Sequence, residues 1–316
     1  MDKKKVIRKV ITIIFYILIV VFLVYYFRNI DFEIIKNANY NIFFMLLSFT
    51  IRMTGLLIMP YSWEVLIKSY HGKMLDKKKI YKIYAESWLG RYIPGKVGWI
   101  GGKILFATRE GVSTEIAVVT SFLDSILQVF SSMLLAVFII IPIHKSLQID
   151  NQIIIFVYII TAVMLVCLIP PIFNGVVGIC YKILKKKDYL PEYHIKSKTM
   201  LTSIGIVVIS KVFSSLAVAV MAYAVVGNSF KATDYIYVMA VNLIATAVGM
   251  AALFAPAGIG VKESIQIFLL GSILGKENAL IIVTMASLQS IVGDIVFFIA
   301  TRFIKSKEKL EDGTQG

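Results

Sequence analysis

Long apolar runs with few charges alternate along this chain with short segments crowded with lysine. The runs fall at about residues 10–27, 42–67, 116–143, 153–181, 199–226 and 279–304. Each approaches or exceeds the roughly 18–20 residues that a helix needs, at 1.5 Å per residue, to cross about 30 Å of hydrocarbon. Two further segments are apolar but interrupted. Between about 84 and 107 the sequence AESWLGRYIPGKVGWIGGKILF is broken by glycine and proline and carries Arg91, Lys96 and Lys103. Between about 235 and 261 an uncharged run enters FAPAGIGVKE, and only about 12 apolar residues then precede Gly275-Lys276-Glu277-Asn278. Neither reads as a regular span. The pattern predicts an all-α polytopic membrane protein.

The lysines orient it. Lys3, Lys4, Lys5, Arg8 and Lys9 precede the first run, and Lys68, Lys73, Lys77, Lys78, Lys79 and Lys82 follow the second. Lys182, Lys185, Lys186 and Lys187 follow the fourth, and Arg302, Lys305, Lys307 and Lys309 close the last. By the positive-inside rule both termini and the loops at 68–83 and 182–198 face the cytoplasm, with 28–41, 144–151 and 227–234 outside. Two cytoplasmic ends require an even number of crossings. Six full spans satisfy this if each interrupted segment enters and leaves by one face as a re-entrant hairpin, the first from the cytoplasm and the second from outside. The chain then reads as a single transmembrane domain, 1–304, of two inverted repeats, about 9–143 and 152–304, followed by a short polar tail, 305–316. The turns match: Pro94-Gly95-Lys96-Val97-Gly98 against Pro256-Ala257-Gly258-Ile259-Gly260, a shared P-x-x-[VI]-G. Internal symmetry with helices broken at equivalent places is the mark of an alternating-access transporter, whose site lies near the midplane.

Composition strengthens the membrane reading: 58% of 316 residues are hydrophobic, mean hydropathy is +0.81 and net charge is +14. A soluble domain does not hide that much apolar surface. The excess charge suits an anionic cytoplasmic leaflet. No compact basic domain, zinc pattern or aromatic RNA motif supports nucleic acid as a partner. Cys167 and Cys180 lie in or beside one apolar stretch and read as packing residues, not as a disulfide framework or metal site. The N-terminal run has no small-residue cleavage site after it, so it reads as a span and not a signal peptide.

Several side chains are candidates for chemistry. In the first turn Gly95, Gly98, Gly101 and Gly102 would let a headgroup approach the backbone, while Arg91, Lys96, Lys103 and Arg109 supply positive charge. In the second, Pro256, Gly258 and Gly260 lead to Lys262 and Glu263. A half-helix starting at each turn would offer free N–H groups and a positive dipole end to a phosphate. The alternative is that the glycines allow close helix packing and the lysines snorkel. Arg52, Lys211, Asp124 and Asp294 lie deep within spans and must face the protein interior, since a lone charge there costs at least about 2.5–3.5 kcal/mol. Two readings stay open for these four: headgroup or proton handling, or internal ion pairs such as Arg52 with Asp124. Lys262 and Glu263 either neutralise one another or leave Glu263 free to titrate. No catalytic residue, cofactor or metal site is expected. His71, His144 and His194 sit in loops far apart in sequence, and Ser87, Ser121 and Ser125 have no histidine beside them to act as base. Trp63, Trp88 and Trp99 read as interfacial anchors.

WLGRYIPGKVGWIGGKILFATREGVS, then LDSILQ, then FAPAGIGVKESI resemble the flippase-like membrane region of lysylphosphatidylglycerol synthases and their stand-alone relatives, over about residues 10–304. The resemblance implies translocation of a lipid or lipid-linked headgroup in a bacterial plasma membrane, with both turns lining the path. It also brings an association with antibiotic resistance and the cell envelope. The cargo it implies is an anionic or lysyl-modified phospholipid or a polyprenyl-phosphate-linked sugar. An acidic residue often follows the first P-G-x-x-G in this family; here Trp99 stands there. The synthases carry a large soluble domain that transfers lysine from tRNA, and no counterpart is expected within these 316 residues. Three functions therefore compete: a lipid flippase; a membrane subunit or scaffold serving a separate glycosyltransferase or lipid synthase; and a phosphatidylglycerol lysyltransferase, for which the loops offer no tRNA surface or acceptor pocket.

Overall fold

The structure is a computed structural model that describes residues 3–28, 33, 36, 38–71, 75–93, 97–143, 151–185, 194–252 and 255–304. Among these residues there are α-helices joined by short turns, and no strand. The helices are α1 (Lys3–Arg28), α2 (Ile42–His71), α3 (Lys77–Leu89), α4 (Val97–Arg109), α5 (Thr114–Ile140) and α6 (Asn151–Cys167). They continue as α7 (Pro170–Lys185), α8 (Ser197–Val226), α9 (Ala232–Ala251), α10 (Val261–Leu274) and α11 (Lys276–Phe303). Six segments are long and apolar enough to cross a membrane: Ile42–Tyr70, Thr114–Ile140, Ser197–Ser229, Ala232–Ala251, Pro256–Leu274 and Lys276–Phe303.

That membership differs from the sequence reading. The expected span at 153–181 is divided between α6 and α7, which meet at 84° where Pro170 and Pro171 follow Cys167. Proline removes a backbone donor and clashes with the preceding turn, so the bend has a local cause. The second interrupted segment is longer than expected because α10 begins at Val261, taking Lys262 and Glu263 into its first turn instead of waiting beyond them. The first interrupted segment keeps its expected brevity: α3 and α4 have 13 residues each, about 20 Å of helix, well short of a bilayer core.

The long helices α2 and α8 pack against one another along their length through small residues and hydroxyls. A Cβ on Gly55 would lie 2.9 Å from the Ser210 carbonyl, and the Ser210 hydroxyl donates to the Gly55 carbonyl at 2.6 Å. One end of the contact is fixed by Ser48 donating to the Ala217 carbonyl at 2.6 Å, the other by the Ser69 and Thr199 hydroxyls at 3.1 Å. Close backbone approach with hydroxyls bridging the helices is how apolar spans associate where burial against lipid gives no net drive.

Both interrupted segments cross through glycine. A Cβ on Gly90 would fall 2.3 Å from the Gly98 carbonyl oxygen, and one on Gly98 would fall 2.2 Å from that of Gly90. On the other side Gly258, at φ +74°, would place a Cβ 2.8 Å from the Gly249 carbonyl oxygen. No other residue fits at Gly90 and Gly98 without separating two backbones. The turn Gly90–Tyr92 packs against the turn Pro256–Gly258, so the two breaks meet in the middle of the bundle.

Candidate functional site

A cavity of about 100 Å³ opens where the breaks meet. α2 and α8 supply Arg52 and Lys211, the turn after α3 supplies Arg91 and Tyr92, α10 supplies Lys262 and Glu263, and α11 supplies Ser287 and Ser290. Five of the expected charged residues, four basic and one acidic, therefore line one space. Trp99, Asn242 and Thr246 complete parts of its wall.

The two arginines converge on Asp294, just behind the cavity and 1% exposed. Arg91 Nη2 lies 2.5 Å from Asp294 Oδ2, and Arg52 Nη2 lies 3.4 Å from Oδ1. Trp88 Nε1 donates to Oδ1 at 3.1 Å and the Tyr92 hydroxyl to Oδ2 at 2.7 Å. The carboxylate thus has four donors, enough to occupy its lone pairs. Both arginines also donate to the Ser290 hydroxyl, at 2.7 Å from Arg52 and 3.0 Å from Arg91. The Arg91 guanidinium lies 4.7 Å from the Trp88 ring centroid. Even so, Arg52 Nε and Arg91 Nε are buried with no hydrogen-bond partner among the described residues.

The lysines are less well matched. Lys211 is 6% exposed, and its nearest polar contact is the Met250 sulfur at 4.0 Å. Among the described residues neither Lys211 nor Lys262 has a carboxylate oxygen within 4.0 Å. Glu263 has turned to its own helix. Its Oε2 accepts from Gly260 N at 2.8 Å, and its Oε1 accepts from the Ser287 hydroxyl at 2.8 Å. The N–H expected to greet an incoming anion at the second turn is thus already held by the protein's own carboxylate, as in a capping box.

The remaining candidates lie elsewhere. Asp124 does not pair with Arg52. It pairs with Lys103 in a second buried centre, where the Ser62 hydroxyl and Gln128 Nε2 also donate to the carboxylate, at 3.4 and 2.9 Å. Lys103 is 0% exposed and lies 5.5, 4.4 and 5.0 Å from the ring centroids of Trp63, Tyr84 and Trp99. Trp63, Trp88 and Trp99, expected at the membrane interface, are 0, 7 and 3% exposed and belong to the core. They are inside because their rings cage one cation and stack on another, while the Trp88 indole also binds a carboxylate. Arg109 is exposed at the end of α4, donating to Thr12. Gly98 and Gly102 contact neighbouring backbone, Gly102 facing Ser87 Cα at 3.2 Å from its would-be Cβ, so both are packing positions. Pro256 and Gly258 form the second tip, with Gly260 beside them at φ +86°. Pro94, Gly95 and Lys96 lie outside the described residues, as does His144; His194 is exposed in a loop.

Sequence reasoning missed Ser290, Tyr92 and Trp88. A signal for the first existed: Ser290 stands four residues before Asp294, one helical turn along the same face. Over residues 10–297 the chain matches the family model described as the lysylphosphatidylglycerol synthase TM region. The chain belongs to that family. The match spans every cavity residue from Arg52 to Ile291. No curated protein matches the chain.

Proposed function

We propose that the protein is a membrane lipid translocase that takes anionic, phosphate-bearing headgroups into the cavity between its two interrupted segments. One observation carries the reading: four basic side chains, Arg52, Arg91, Lys211 and Lys262, face one space against two carboxylates that are already committed to the protein. Uncompensated charge away from water is costly, so such an array is a seat for an anion. Family membership supports a membrane protein of this kind. Non-helical backbone at membrane depth lines cavities, and transporters with broken helices keep their site where the breaks meet. In this reading the two matched turns belong to inverted repeats, both ends of the chain face the cytoplasm of a bacterial plasma membrane, and one repeat rocks against the other to expose the cavity to each leaflet.

The test is purified protein in phosphatidylcholine vesicles containing acyl-labelled phosphatidylglycerol, with dithionite reporting the leaflet of the label. Labelled lipid is expected to exchange only in protein-containing vesicles. Arg91→Gln should slow it by about tenfold for each 1.4 kcal/mol of phosphate interaction lost. Exchange that begins only when a separate glycosyltransferase or lipid synthase is added would replace this reading with that of a membrane subunit. Lysyl-lipid formed from charged tRNA would replace it with a transferase.

A further inference from the structure

The geometry points to a more specific cargo, on the basis of the translocase reading: a lipid whose head carries two negative charges, as a terminal phosphate or a diphosphate, in preference to a phosphodiester or a lysyl-modified lipid. The cavity's four cations, its one lining carboxylate, Glu263, and Asp294 just behind the wall leave a formal excess of two positive charges. The excess can be located. Arg52 and Arg91 share the single charge of Asp294, and each keeps a buried Nε with no partner among the described residues. Lys211 has no carboxylate within 4.0 Å among the described residues. A phosphomonoester carries about −1.5 to −2 at pH 7 with three strong acceptor oxygens, and a diphosphate diester carries one charge on each phosphorus. Either supplies what the lining lacks. A phosphodiester leaves one cation unmatched, and a lysyl ester of phosphatidylglycerol, net positive, adds to the excess.

Size agrees. About 100 Å³ is well below the ~300–1,000 Å³ of sites that enclose drug-sized ligands. A compact phosphate group suits that space.

The experiment compares acyl-labelled phosphatidic acid, phosphatidylglycerol and lysylphosphatidylglycerol at equal mole fraction in protein-containing phosphatidylcholine vesicles. The expected order is phosphatidic acid first, by about tenfold or more over phosphatidylglycerol, with the lysyl lipid last. Lys211→Gln should bring the ratio of the first two close to one, and Lys211→Arg should preserve it; Lys262→Gln serves as the second neutral variant if Lys211→Gln fails to fold. Equal parent rates for the two anionic lipids, or fastest exchange of the lysyl lipid, would overturn the dianion assignment while leaving the translocase reading intact. Exchange of none of them would remove both. Inorganic phosphate or diphosphate that raises the melting temperature as much as phosphatidic acid does, without slowing its exchange, would assign the site to a free anion and overturn the lipid.

Discussion

Replacing Asp124 with alanine strands an ammonium group in the core. Lys103 and Asp124 are both 0% exposed, and the lysine has aromatic rings on three sides and one carboxylate. The rings attract the cation by about 2 kcal/mol or more in a desolvated site, but they do not cancel its charge. Breaking a buried pair by removing one partner costs about 3–5 kcal/mol, because the surviving charge stays out of water. Ser62 loses its acceptor as well, and Gln128 Nε2 is left with the Tyr84 hydroxyl alone. Asp124→Ala and Lys103→Ala should therefore each reduce folded, monodisperse protein sharply in detergent, measured by fluorescence-detected size exclusion with a thermal ramp. Replacing both, as Lys103→Met with Asp124→Leu, leaves no buried charge and should recover most of the lost stability, since apolar substitutes for a buried pair are often neutral or better. The double-mutant cycle should give a coupling of roughly 1–3 kcal/mol. Arg52→Ala should give no recovery in the Asp124→Ala background, because Arg52 is bound to Asp294. An Asp124→Ala protein as abundant and heat-resistant as the parent would refute the reasoning, and so would rescue by Arg52→Ala.

Further outcomes follow from the same contacts. Gly90→Ala and Gly98→Ala should each prevent stable folding, whereas Gly205→Ala, with nothing within 4 Å of the added carbon, should leave the melting temperature unchanged or slightly higher. Trp63, Trp88 and Trp99 should emit at short wavelength and resist iodide quenching in detergent; emission typical of interfacial indoles would contradict their burial. A cysteine at Asn278 in an otherwise cysteine-free protein should react with an impermeant reagent added outside; labelling from the cytoplasmic side alone would remove the proposed inverted arrangement.

Much of the fold was legible because a bilayer admits few solutions. Apolar runs of span length, each with one or two charges, gave α2, α5, α8 and α11, and the proline-glycine turns marked both breaks. What could not be read was how polar residues near a break divide between turn and helix. Lys262 and Glu263 look like a polar interruption, yet Glu263 returns to the N–H of Gly260 and starts α10. The capping interaction lengthens the helix, and only the observed partner reveals it. Likewise Pro170 and Pro171 sit inside an unbroken apolar run, where hydropathy hides a bend that backbone geometry requires.

The charge pairing failed for a more specific reason. Each aspartate lies in the last span of its half, after one of the two matched turns. Nine residues after Pro94 is Lys103, which reaches Asp124; nine residues after Pro256 is Ile265. The second turn thus lacks the cation that satisfies the aspartate of the first. Asp294 is left to Arg52 on α2 and to Arg91 at the other segment's break. The first break is thereby tied by charge to α11, and the buried Lys103–Asp124 pair does not extend to the cavity. The first centre is a closed internal pair, whereas the second has one carboxylate shared by two arginines. A motif comparison that records only prolines and glycines passes over that difference, although it is the difference that leaves arginine donors facing the cavity.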